Sequence, residues 1–364
     1  MAHHKNTTDF LPSLSVWYEQ IGRHTESIDI KEEDITRNKR FELLQKTIDF
    51  PYQKPTVFPA IDLKNKSNKF QKLLNANGDD LCAIRLTPNE DGLPKHRNRG
   101  LALNDCYNNW FLNLPIDFTK YTASIFPHTN DYLWSIVFVV TDDLIFGEIF
   151  PGSLLAITTN GDTAGEPFNF QFDFKTWCWS SRNKKAEAKA KKFIKYIFVK
   201  DTKKQTRLKK KLGSKFSHGY IKGYFEALNI PKNDYYFTDY NRLLPDLIPV
   251  TKWQKNITGG LRGIPCSPGL AEGRVRIIDM NKKQNEFHKD DILVCDFTDI
   301  RYVPLMKKAA AIVTNKGGVL SHASIVARGF GIPCVVNTFN ATKVLKDGQK
   351  VRVDGDTGEI KQIK

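Results

Sequence analysis

Ala311-Ile-Val-Thr-Asn-Lys-Gly-Gly-Val-Leu-Ser-His-Ala-Ser-Ile-Val-Ala-Arg-Gly-Phe-Gly-Ile-Pro-Cys-Val-Val336 is the stretch on which the reading of this chain turns. Its first four residues form an apolar run that suits a buried strand ending at Thr314. Gly317 and Gly318 then allow a turn where side chains would obstruct. A helix is expected from Ser321 to Phe330 and a further strand from Cys334 to Asn337. His322 therefore falls in the first turn of a helix. Free backbone N–H groups and the positive end of the helix dipole meet there and suit a phosphoryl group held on an imidazole nitrogen. The position also favours the neutral, nucleophilic ring. Ser321 and Thr314 offer hydroxyls, and Arg328 offers a charge, to support such a phosphate. A serine-capped helix with an incidental core histidine would share this local pattern.

The flanking sequence widens the match. Gly263-Ile-Pro-Cys-Ser-Pro-Gly-Leu-Ala-Glu-Gly-Arg-Val-Arg276 precedes it. Next comes Asp290-Asp-Ile-Leu-Val-Cys-Asp-Phe-Thr-Asp-Ile-Arg-Tyr-Val-Pro-Leu-Met306, and Asp347-Gly-Gln-Lys-Val-Arg-Val-Asp-Gly355 closes the chain's last third. In order and spacing, residues 259–364 resemble the phosphohistidine swivelling domain of phosphoenolpyruvate-utilising enzymes. That family includes phosphoenolpyruvate synthase, pyruvate phosphate dikinase and rifampicin phosphotransferase. The resemblance implies a swivelling β/β/α domain whose histidine, here His322, shuttles a phosphoryl group between two sites.

Two shorter matches lie upstream. Cys82-Ala-Ile-Arg-Leu-Thr-Pro-Asn-Glu-Asp-Gly-Leu-Pro resembles the family's "VRSSA..ED.P" motif, with Arg85 at the arginine that meets nucleotide phosphate and Gly100 at the later glycine. Leu86-Thr87 replaces the family's serine pair. Phe146-Gly-Glu-Ile-Phe-Pro-Gly resembles "GLGE.VV.G" and makes Glu148 a nucleotide or magnesium ligand. The resemblance thus implies an ATP-grasp-like nucleotide-binding region with ATP and Mg²⁺ as cofactors. The family's N-terminal glycine-lysine motif is missing, which leaves open a remnant that binds nucleotide without turning it over.

Composition sets the outer bounds. The 364 residues are 40% hydrophobic and carry a formal charge of +15, with a mean hydropathy of −0.43. Two or three domains are expected. No apolar stretch approaches a membrane span, the longest being Leu133–Val140, and no signal region opens the chain. Six cysteines scattered singly read as free thiols of a reducing cytoplasm.

The expected organisation is α/β, with an α+β N-terminal part. Residues 1–164 form the ATP-grasp-like region, 165–258 a basic helical region and linker, and 259–364 the swivelling domain. Helix is expected from Asp9 to Asn77, broken by Pro51, Pro55 and Pro59. Strands are expected at Leu81–Leu86, Tyr121–Phe126, Trp134–Val140 and Leu144–Ile149, with a turn at Asn160-Gly161. Two basic helices are expected between Lys184 and Ala227.

Function stays open among three readings. An ATP-dependent phosphotransferase would pass phosphate through His322 to a small-molecule or protein acceptor. The expectation is a chain that does not make phosphoenolpyruvate by itself, because nothing resembling the family's phosphoenolpyruvate-binding barrel follows the swivelling domain. A relay protein would instead be charged on His322 by a partner polypeptide. A nucleic-acid-binding protein would use the basic run at 182–215, with Lys209, Lys210 and Lys211 at its centre and aromatic residues such as Trp177, Trp179 and Tyr220 nearby.

Overall fold

The computed structural model describes residues 18–19, 21–90, 93–153, 167–231, 234–247, 261–282, 286–319 and 321–363. The expected turn at Asn160-Gly161 and most of the expected linker lie outside them. The chain divides into two compact units. One comprises residues 1–50, 133–228 and 237–364, the other 51–132 and 229–236.

The first described helix, α1 (His24–Ile48), belongs to the larger unit. Arg40 donates to the carbonyls of Glu33 and Tyr240, and Glu33 accepts from Arg242, so buried charges tie the helix to the strand that carries Tyr240.

The smaller unit is a four-stranded antiparallel sheet in the order β1-β4-β2-β3. Its strands are β1 (Thr56–Pro59), β2 (Leu81–Pro88), β3 (His96–Ala102) and β4 (Tyr121–Pro127). Helices α2 (Ala60–Lys64) and α3 (Asn68–Asn77) belong to the same unit. Alternate β2 residues Cys82, Ile84 and Leu86 enter a core with Phe58, Phe70, Tyr107 and Phe111, the period-2 pattern of a half-buried strand. The helical stretch expected to Asn77 was expected to break at Pro51, Pro55 and Pro59, and β1 occupies the break, where Pro59 excludes helical backbone.

The larger unit holds two sheets. A six-stranded one runs β12-β11-β5-β6-β7-β8, built from β5 (Trp134–Val140), β6 (Ile145–Phe150), β7 (Phe168–Phe172), β8 (Trp177–Trp179), β11 (Gly223–Ile230) and β12 (Asp234–Asn241). A two-residue hairpin, β9 (Phe216–Ser217) with β10 (Tyr220–Ile221), precedes β11. The boundary expected at 164 falls inside this sheet, since β6 and β7 pair antiparallel. The expected basic helices are α4 (Lys184–Lys195) and α5 (Thr202–Leu212), capped by the side chains of Asn183 and Asp201. Helix ends at Gly213, which takes φ +63, and residues 216–241 are largely strand rather than the helix expected to Ala227.

The last third is an eight-stranded mixed sheet, β13-β20-β19-β15-β16-β17-β18-β14. Its strands are β13 (Leu261–Arg262), β14 (Ile264–Ser267), β15 (Leu270–Ile277), β16 (Ile292–Cys295), β17 (Ala311–Thr314), β18 (Cys334–Val336), β19 (Lys350–Asp354) and β20 (Glu359–Gln362). Strands β15 to β18 run parallel. Both faces of the central strands are covered, which explains their unbroken apolar runs. Ile292, Val294, Ala311 and Val313 pack on one side. Leu293, Cys295 and Ile312 pack on the other, with Ala323, Val326 and Ala327 of helix α6 (His322–Phe330).

Candidate functional site

Strand β17 delivers the chain into a turn that ends at α6. Gly317 takes φ +113, a conformation that side chains resist. The Gly318 carbonyl accepts from the Ser321 N–H at 3.1 Å and from Ser324 Oγ at 2.6 Å, which closes the turn. Ser321 occupies the N-cap and His322 is the first residue of the helix.

His322 is buried, with 7% of its surface exposed. Its Nδ1 lies 2.8 Å from Thr298 Oγ1. Burial pushes the ring's pKa down to about 4, against a smaller opposing pull from the Asp299 carboxylate. The neutral ring expected from the helix dipole is therefore what the site favours, with loss of hydration as the principal cause. Asp299 caps the turn at Ile300–Tyr302 and is held by Arg301.

The residues expected to support a phosphate divide in their placement. Gly317, Gly318 and Ser321 form the turn itself. Thr314 Oγ1 donates to the Lys316 carbonyl at 2.6 Å, so its hydroxyl shapes the turn. Ser321 Oγ lies 3.1 Å from Ser324 Oγ. Arg328 is turned to backbone: Nε donates to the Cys266 carbonyl at 2.7 Å, and Nη2 to that of Val319. Its charge, expected to neutralise phosphate, instead braces β14 against the loop ahead of α6.

Glu148 is brought to this turn. It stands in β6, a strand buried along its whole length, opposite Val137 and Asn169. A Cβ added to Gly318 would collide with both carboxylate oxygens of Glu148. Arg85 belongs to the other unit, on β2 between Arg97 of β3 and Ser124 of β4. Gly100 takes φ +81 in β3. Lys209, Lys210 and Lys211 are exposed in the last turn of α5.

Thr298 is absent from the residues chosen on sequence, although the segment Asp290–Met306, which carries part of the resemblance, contains it. Glu226 on β11 and Asp239 on β12 were also missed. Burial and then Asp239 raise the Glu226 pKa to about 7, and burial raises that of Asp239. Tyr224 donates to Glu226 at 2.5 Å, and Arg37 lies 3.4 Å from Asp239. Nothing in their local sequence marks them, because the pairing is made by strand neighbours. Among the described residues no group of three or more His, Cys, Asp or Glu side chains is arranged to hold a metal ion.

A buried, neutral histidine opening a helix after a diglycine turn, on a sheet with parallel central strands, defines the class of the C-terminal domain. Residues 287–358 match the family described as PEP-utilising enzyme, mobile domain. Over 101 residues the chain is 50% identical to the phosphoenolpyruvate synthase of Aeropyrum pernix, covering 28% of this chain and 12% of that protein. Over 145 residues it is 34% identical to the rifampicin phosphotransferase of Bacillus subtilis, covering 37% and 16%. The chain thus spans less than a fifth of the length of these curated relatives. D-alanyl-alanine synthetase A from Vibrio cholerae aligns at 7% identity with a TM-score of 0.28, covering 55% of this chain and 52% of that one. A likeness so slight carries no argument about fold. No helix among the described residues is long and apolar enough to cross a membrane.

Proposed function

We propose that the chain is a phosphotransferase component in which His322 receives a phosphoryl group on Nε2, from ATP, and passes it to a separate acceptor. The observation that carries the reading is the 2.8 Å contact between Thr298 Oγ1 and His322 Nδ1. When Nδ1–H donates to Thr298 Oγ1, the ring is in the tautomer whose Nε2 lone pair is the nucleophile. That lone pair attacks phosphorus, the bond to the bridging oxygen breaks, and the nucleotide leaves with the electron pair. The low pKa keeps Nε2 unprotonated at neutral pH.

In this reading a magnesium ion would be held by carboxylates of the larger unit. Glu226 and Asp239 are carboxylates whose mutual repulsion a divalent cation would relieve, and Mg²⁺ is commonly held by one or two carboxylates together with substrate phosphates. When bound, it would neutralise charge on the phosphate oxygens. In this reading Glu148, beside the turn that leads to His322, is a nucleotide-binding residue of the larger unit, and Arg85, on β2 of the smaller unit, is a nucleotide-binding residue considered by itself.

The test is intact mass at neutral to alkaline pH after incubation with Mg-ATP and, separately, with phosphoenolpyruvate. A phosphoryl-sized gain with ATP, absent in His322→Ala, supports the reading. An equal gain in His322→Ala ends it. A gain with phosphoenolpyruvate alone removes ATP as donor.

A further inference from the structure

Among the described residues strand β8 is an edge strand of the six-stranded sheet. Its register sets Trp177 opposite Phe172 and Trp179 opposite Phe170, so all four rings share one face. Phe170 is fully buried, whereas Phe172, Trp177 and Trp179 are only partly covered. Phe172 and Trp177 stack at 4.6 Å and 15°, Trp177 and Trp179 at 5.7 Å and 12°. The line of rings continues. Tyr220 lies 6.2 Å from Phe172 and 4.9 Å from Phe198, which is 43% exposed. Phe174 lies 5.8 Å from Tyr220 and stacks on exposed His218 at 4.2 Å. Seven rings thus form a continuous surface, none of them fully withdrawn from solvent.

Cations border this surface. Lys191 of α4 sits over the Trp177 ring at 5.6 Å. Lys184 and Lys195 follow it along the same helix stripe, seven residues before and four after. Lys209 of α5 lies 5.7 Å over Phe216, in the hairpin that carries His218 and Tyr220. From Arg182 to Lys215 there are 15 lysines and arginines against two acids, Glu187 and Asp201, and Asp201 is engaged as the α5 cap. Among the described residues Lys184, Lys191 and Lys195 make no ion pair. Within α4 six lysines face one acid, Glu187, so the helix carries a net excess of positive charge.

We propose that the β8 edge, the β9–β10 hairpin and the lysine stripe of α4 bind single-stranded nucleic acid. Bases would stack on the rings around Trp177 while the lysines meet the backbone phosphates. Flat, partly exposed rings in line suit bases free to unstack, which a duplex does not offer, and the excess of cations supplies the complementary charge. The inference is independent of phosphoryl transfer at His322.

The test uses the full chain and a fluorescein-labelled 20-nucleotide oligouridylate and oligothymidylate, with fluorescence anisotropy read from 20 to 200 mM salt. Binding to either is expected, weaker for a duplex of equal length, with quenching of tryptophan emission. Trp177→Ala is expected to lose about tenfold in affinity, the scale of one lost base stack. Lys184→Gln with Lys195→Gln leaves the rings intact and is expected to flatten the log-log salt slope by about 1.4, roughly 0.7 for each lost phosphate contact. His322→Ala is expected to bind as the parent does. No binding at 20 mM salt overturns the proposal. So does equal affinity for duplex with no effect of Trp177→Ala, or binding confined to phosphatidylserine vesicles.

Discussion

The carboxylate of Glu148 fills the space that a side chain on Gly318 would need. One residue stands in the middle of β6, the other in the turn that leads to His322, and no feature of either local sequence announces the meeting. Gly318→Ala is expected to cost about 1–3 kcal/mol in urea unfolding, the usual scale of overpacking. Glu148→Ala in the same chain should recover much of that loss, and a double-mutant cycle reads the coupling. Additive effects of the two changes would show that the close approach is not what keeps residue 318 a glycine.

Thr298 is expected to act on His322 by positioning. Thr298→Val preserves shape but removes the partner of Nδ1. Charging of His322 should slow by up to about tenfold, the scale of one lost hydrogen bond. Nitrogen NMR of the imidazole should show a mixture of tautomers, and Thr298→Ser should restore both readouts. Slowed charging with an unchanged tautomer would assign Thr298 a merely structural part.

Arg328 has a different expectation because its guanidinium serves the backbone. Arg328→Met leaves the carbonyls of Cys266 and Val319 without this donor, at a cost of about 1–3 kcal/mol. The fraction of folded protein that becomes phosphorylated should not change. A variant that stays folded yet fails to charge would return Arg328 to the phosphate.

These cases mark what is legible in a chain of residues. The strand, diglycine turn and helix at 311–330 are written in local spacing, and the parallel strands around them in unbroken apolar runs. The N-terminal limit of α6 at Ser321-His322 was readable for the same reason. Arg328 misled because helical spacing gives position along α6 but not which groups its long side chain reaches. Strands β7, β8, β11 and β12 escaped because Trp177–Trp179 is too short to show a period, and lysine-rich helices lie between the two pairs. Glu226 and Asp239 escaped because the hairpin of β11 and β12, which makes them neighbours, begins where helix was expected.

Their proximity has a consequence for stability. The Glu226 pKa rises to about 7 from an ordinary 4.5, so the folded state holds its proton longer than the unfolded chain does. Its contribution is present below pH 4.5 and lost as pH rises to about 7, on the order of 2 kcal/mol after allowance for its coupling to Asp239. Glu226→Gln should therefore be more stable than the parent at pH 8 and equal to it at pH 4. It should also lose any stabilisation that added magnesium gives the parent.

His322 titrates in the opposite sense over nearly the same window, so the two groups offset one another in the parent. The ring's pKa falls to about 4 from 6.5, and between those values the unfolded chain binds the proton that the folded one refuses. Stability from this group is full above pH 6.5 and declines as pH falls towards 4, by about 2 kcal/mol between pH 6.5 and 5. In a Glu226→Gln background, where the opposing titration is gone, urea midpoints should fall steadily from pH 7 to 5. Adding His322→Asn should flatten that fall. A slope that survives the second substitution would place the titration on another group and remove the main support for a neutral ring at His322.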